Sequence, residues 1–91
     1  KRSDYDFSPY NIGIIAVRQM QQGKVDLSID LLNFLIGEYP KTNSILYYYR
    51  GLAHLKKGEK ILAVKDFNKV IELDHTDIRA MEILDEISIA N

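Results

Sequence analysis

Slid against itself by 35 positions, the 91-residue chain sets small residues on small ones and large apolar residues on large ones. Ala16 falls on Gly51, Gly23 on Gly58, Ser28 on Ala63, Leu32 on Phe67, Leu35 on Val70 and Pro40 on His75. Self-similarity at such a period marks a structural unit that cannot bury its apolar face alone and stacks on its own kind. The unit predicted here is a pair of antiparallel helices, used twice. A small residue at 16 or 51, and another at 28 or 63, lets the two helices of a pair approach closely. Glycine at 23 or 58 opens the turn between them, because only glycine takes a positive φ cheaply. Leu32 with Leu35, and Phe67 with Val70, fill the seam at the spacing of one helix face.

Local signals place the helix ends. Ser8 before Pro9 reads as an N-cap followed by proline at the first helical position, so a first helix runs from Pro9 to Gln22. A second is expected from Val25 to Glu38, stopped by Pro40. Thr42, Asn43 or Ser44 caps a third that lasts to Lys57. The fourth covers Glu59 to Leu73, and Thr76 or Asp77 caps a fifth that reaches Ala90. Strand signals are nearly absent: no Asn-Gly or Asp-Gly hairpin turn occurs, and the β-branched residues sit within helical spacing. The expected fold is all-α.

Charge and residue usage exclude several functions. Twelve basic residues against thirteen acidic ones leave a formal net charge of -1, which provides no electrostatic pull toward nucleic acid or an anionic membrane. The apolar run Ile12 to Val17 is far shorter than the roughly 20 residues of a membrane span, so membrane insertion is not expected. Without cysteine there is no disulfide, no thiol nucleophile and no thiolate metal site. With 46% hydrophobic and 27% charged residues the chain is too apolar for a disordered tail. A first residue of lysine reads as a fragment of a longer protein.

Residues 44 to 77 resemble a tetratricopeptide repeat, whose signature is W-x2-L-G-x2-Y, then A-x3-F, then P, over about 34 residues. Tyr47 stands at the first aromatic, Gly51 at the glycine, and Ala63 with Phe67 at the alanine and phenylalanine. Arg50 replaces the leucine, His54 the tyrosine and His75 the proline. The run Val70 to Asp74 is similar to the usual end of the second helix of such a repeat. Residues 9 to 43 are a more divergent copy, with Ile12, Ile15, Ala16, Ser28, Leu32 and Pro40 at corresponding places. The resemblance implies a linker or arm at 1–8, a first repeat at 9–43, a second at 44–77, and a capping helix at 78–91 with Met81 and Leu84 at packing positions.

Catalysis is not expected. His54 sits on a packing face and reads as a satisfied, partly buried ring. Asp74, His75 and Asp77 have metal-like types but fall in an inter-helix turn, where such residues cap helices. None of the serines has a histidine and an acid arranged as base and orienter. The glycines are isolated and form no phosphate loop. No cofactor or metal is called for.

The resemblance implies instead a concave groove lined by the first helix of each pair, taking a protein or peptide partner. Its expected lining is Tyr10, Gly13, Val17, Met20 and Gln21 on the first helix, Ile45, Tyr48, Leu52, Leu55 and Lys56 on the third, and Arg79 and Glu82 on the fifth. Members of the family that clamp the C-terminal carboxylate of heat-shock chaperones use lysines, asparagines and an arginine. Here the matching places hold Gly13, Val17, Tyr49, Arg79 and Ile83, of which only Arg79 fits, so that role is not expected. A second apolar face, with Ile14, Leu27 and Phe34, calls for another cover: a neighbouring domain, a second copy of the chain in a homo-oligomer, or a bound partner. The strings QQGK, EYPKTNSILYYYRG and KKGEK between Gln21 and Lys60 also resemble the short repeat tails that follow the catalytic domain in some bacterial serine hydrolases. In that case the first helix docks on the catalytic domain.

Overall fold

The computed structural model describes residues 9–39 and 44–90, and within them every regular element is a helix. These are α1 (Pro9–Gln21), α2 (Val25–Glu38), α3 (Ser44–Lys56), α4 (Lys60–Leu73) and α5 (Ile78–Ala90). The proposed caps Ser8, Thr42 and Asn43, and the helix stop at Pro40, lie outside the described residues.

Two turns of the same construction fold α2 back on α1 and α4 back on α3. Gly23 has φ +88° and Gly58 φ +79°, the left-handed region that glycine enters without Cβ strain. At the first turn the N–H of Gly23 donates to Met20 O (3.0 Å) and that of Lys24 to Gln19 O (2.8 Å). At the second, Gly58 N–H donates to Leu55 O (2.9 Å) and Glu59 N–H to His54 O (2.8 Å). This paired closure satisfies carbonyls that a helix end leaves without partners. Because Gln22 and Lys57 belong to these turns, α1 and α3 stop one residue before the expected ends, and Glu59 caps α4 rather than starting it. The helix ends at Tyr39 and Asp74, which donate to Leu35 O and Val70 O, repeat the same offset of 35. Of the two expected caps of α5, Asp77 serves and Thr76 does not: the Asp77 carboxylate accepts the N–H of Ala80 at 3.1 Å. Thr76 instead donates its N–H and hydroxyl to Asp74.

Helix packing follows chain order. α1 lies on α2, α2 on α3, α3 on α4 and α4 on α5, and α1 also touches α3. Two apolar clusters result. Ala16, Leu32, Leu35 and Leu46 join α1, α2 and α3; Ala63, Phe67, Val70, Ala80 and Ile87 join α4 and α5, with Tyr47, Tyr48, Leu52 and Leu55 of α3 against them. Burying a side chain such as Phe67 or Leu32 contributes about 1.5–3 kcal/mol. α3 thus takes part in both clusters.

The close approach at these seams depends on missing side chains. A Cβ on Gly51 would stand 2.8 Å from two Phe67 ring atoms, and one on Gly13 would stand 3.1 Å from Leu46 Cδ2. Ala16, Ala63 and Ser28 are fully buried at the corresponding contacts. α5 covers α4, yet its outer side exposes Ile78, Met81 and Ile89. The same helix exposes Arg79, Glu82, Asp85, Glu86 and Ser88.

Candidate functional site

Of the expected groove residues, Tyr48 has the best-defined surroundings. This ring, half-buried on α3, meets Phe67 edge-on at 5.8 Å between centroids and tilts against Tyr49 at 6.2 Å. The Arg79 guanidinium of α5 lies over it, 4.4 Å from the centroid, within the range of cation–π attraction. Asp77 holds that guanidinium through Nη2 at 3.2 Å and raises its pKa, mainly by this hydrogen bond. An aromatic ring of α3 and an oriented cation of α5 therefore share one place. On the α1 side, Gly13 lets Tyr49 lie against the helix backbone, because a Cβ there would come within 3.3 Å of the ring.

The other expected groove residues differ in exposure. Val17 and Ile45 are half-buried, and Ile45 packs with Tyr49 against the cluster that joins α1, α2 and α3. Leu52 and Leu55 are half-buried but pack against the Phe67 cluster, so each is partly used by the core. Met20 is 6% exposed, which corrects the expectation that it lines an open groove: packing buries its side chain. Tyr10 lies in α1, and its side chain is outside the described residues. Of the residues expected on the second face, Leu27 and Phe34 are exposed at 46% and 64%, whereas Ile14 is half-buried; Ile15 of α1 is exposed as well.

Sequence reasoning missed a polar network on the opposite side of α3. Asp66 of α4 is buried and accepts Arg50 Nε at 2.9 Å and Nη2 at 2.7 Å, a two-point clasp. Arg50 Nη1 also donates to Asn33 Oδ1 of α2 at 2.8 Å, so one guanidinium ties α2, α3 and α4. The Asp66 hydrogen bond is the main cause that raises the Arg50 pKa. His54, one turn on, sits 2.8 Å through Nδ1 from Glu59 Oε1, and its Nε2 is 3.6 Å from Asp66 Oδ2. Glu59 is held below its ordinary value, chiefly by that histidine bond. Lys57 reaches Asp26 at 2.7 Å, joining the second glycine turn to the start of α2. The signal was present: Arg50 and His54, four apart, both depart from apolar types on a packing face, and such a pair needs a buried acid opposite.

His54 is bound to Glu59, the Asp66 carboxylate faces Arg50, and no serine lies in either set. No group of three residues suited to a metal occurs among the described residues, nor does any helix long and apolar enough to cross a membrane. No family model matches this chain, and no curated protein sequence matches it.

Proposed function

We propose that the chain is a tetratricopeptide-like repeat module that binds a protein or peptide segment on the surface formed by α1, α3 and α5, and that it performs no catalysis itself. The observation that carries this reading is the recurrence, at one 35-residue offset, of both glycine turns with their hydrogen bonds, together with the Gly51–Phe67 close approach at the signature positions. The binding surface is Val17, Ile45, Tyr48, Tyr49 and Arg79. Aromatic and arginine side chains provide contact area at low entropic cost, the composition favoured at interface centres.

The test is selection of a displayed random peptide library on the folded chain, followed by amide shift mapping with the enriched peptide. The expected outcome is perturbation centred on Ile45, Tyr49 and Arg79, and loss of binding in Ile45→Glu with helicity retained. No enrichment, or shifts centred elsewhere, would refute it. A second reading, that the module docks on a neighbouring domain such as a hydrolase catalytic domain, draws support from the exposed Ile15, Leu27 and Phe34 on α1 and α2. Shifts centred there on adding such a domain would favour it.

A further inference from the structure

The outer faces of α2 and α4 carry opposite charge at matching places. On α2, Asp30 stands opposite the buried side of Ser28, Leu32 and Leu35, with the exposed Leu27 and Phe34 next to it along the helix. On α4, 35 positions on, Lys65 stands opposite the buried Ala63, Phe67 and Val70, with Leu62 and Lys69 next to it. Asp30 and Lys65 are exposed, and neither has an ion-pair partner among the described residues. α2 holds acids and no base. The two helices lie side by side, in the same direction and at the same level. Lys57 Nζ is 2.7 Å from Asp26 at the start of α2 and 3.7 Å from Glu59, which precedes α4. Further along, the Arg50 guanidinium bonds Asn33 of α2 and Asp66 of α4 at once.

We infer that a second copy of this chain covers these faces, in a two-fold dimer where α2 of each copy lies along α4 of the other. A two-fold contact must be self-complementary. An axis parallel to the helices exchanges α2 with α4 and sets each residue against its counterpart at the 35-residue offset. Leu27 then meets the partner's Leu62, Asp30 the partner's Lys65, and Phe34 the stem of the partner's Lys69. Each contact occurs twice, and no charge meets its like. An axis across the helices would instead lay α2 on α2, acid on acid, and α4 on α4, lysine on lysine, so charge selects the first arrangement. The dimer uses the second helix of each pair and leaves the Tyr48 surface of α1, α3 and α5 open. Its test is therefore independent of the peptide-binding one.

Charge exchange between α2 and α4 is the experiment, read by sedimentation equilibrium of the full chain over a range of concentrations. The unaltered chain is expected to approach roughly twice its 10.5 kDa mass as concentration rises. Asp30→Lys alone sets lysine against lysine at both contacts, and Lys65→Glu alone sets acid against acid; each should weaken association roughly tenfold. The chain carrying both substitutions restores the pair with its signs exchanged and should dimerise like the unaltered one. That recovery also shows that the substitutions leave the fold intact. Asp85→Lys, exposed on α5, is the control and should leave the association unchanged. A chain monomeric at every concentration, as when a different protein covers Leu27 and Phe34, would overturn the inference. So would growth past the dimer, or a double variant that associates no more tightly than the single ones.

Discussion

Replacing Gly51 by alanine probes the seam on which the second helix pair depends. The new Cβ would stand 2.8 Å from Cε1 and Cζ of Phe67 and 3.1 Å from Cε2, closer than carbon atoms tolerate. Phe67 is fully buried against Tyr48 and the α4–α5 cluster, so its ring cannot swing aside without moving other packed groups. Forcing an extra carbon into a packed core costs about 1–3 kcal/mol, and contact with a ring hemmed in on every side belongs at the upper end. Exchanging glycine for alanine within a helix returns about 1 kcal/mol. The net expectation is a loss of about 2 kcal/mol, or a fall in Tm of roughly 8–16 °C for a domain of this size. Gly37→Ala in α2 is the matched control, since nothing lies within 4 Å of its Cβ position; it should gain about 0.5–1 kcal/mol. Urea unfolding followed by far-UV circular dichroism measures both. The double variant Gly51→Ala with Phe67→Leu should recover part of the Gly51→Ala loss by a coupling of about 1 kcal/mol. A Gly51→Ala chain as stable as the unaltered one would show that the ring relaxes without strain, and the steric reasoning would fail.

Three other perturbations address the polar groups. Asp66→Ala strips the partner from Arg50, whose side chain is 22% exposed; that partial access to water reduces the cost below the buried-pair range, to about 2 kcal/mol by urea unfolding, and Asp66→Ala with Arg50→Met should recover most of it. Ser28→Ala should stabilise by about 1 kcal/mol, because Ser28 Oγ is buried with no hydrogen-bond partner among the described residues and alanine already occupies the equivalent place at 63; a loss of stability would mean that the hydroxyl is satisfied. Glu59 has a folded pKa below its ordinary 4.5, chiefly because His54 bonds to its carboxylate. Its contribution is therefore present above pH 4.5 and lost as pH falls through the lower folded value, and a Glu59→Gln chain should show a shallower decline in stability on acidification.

The sequence alone determined what depends on near neighbours. Helical spacing set five helices, and the two glycines with positive φ set both turns, because a left-handed residue at a helix end is a local demand that only glycine meets cheaply. That the helices of each pair approach closely at Ala16 and Gly51 was legible for a related reason, since a small residue recurs there at the 35-residue offset, but that Phe67 is the group against Gly51 was decided by the tertiary structure. Residues whose role is set by distant partners were decided only by the tertiary structure. Arg50 read as a departure from an apolar pattern until folding brought Asp66 and Asn33, 16 and 17 positions away, to its guanidinium. Met20 has the same apolar character as Val17 or Ile45, yet packing alone buries it and leaves them half-open. Which face of an amphipathic helix meets a neighbour, and which remains open to a partner, depends on how whole helices stack, and that information is spread across the chain.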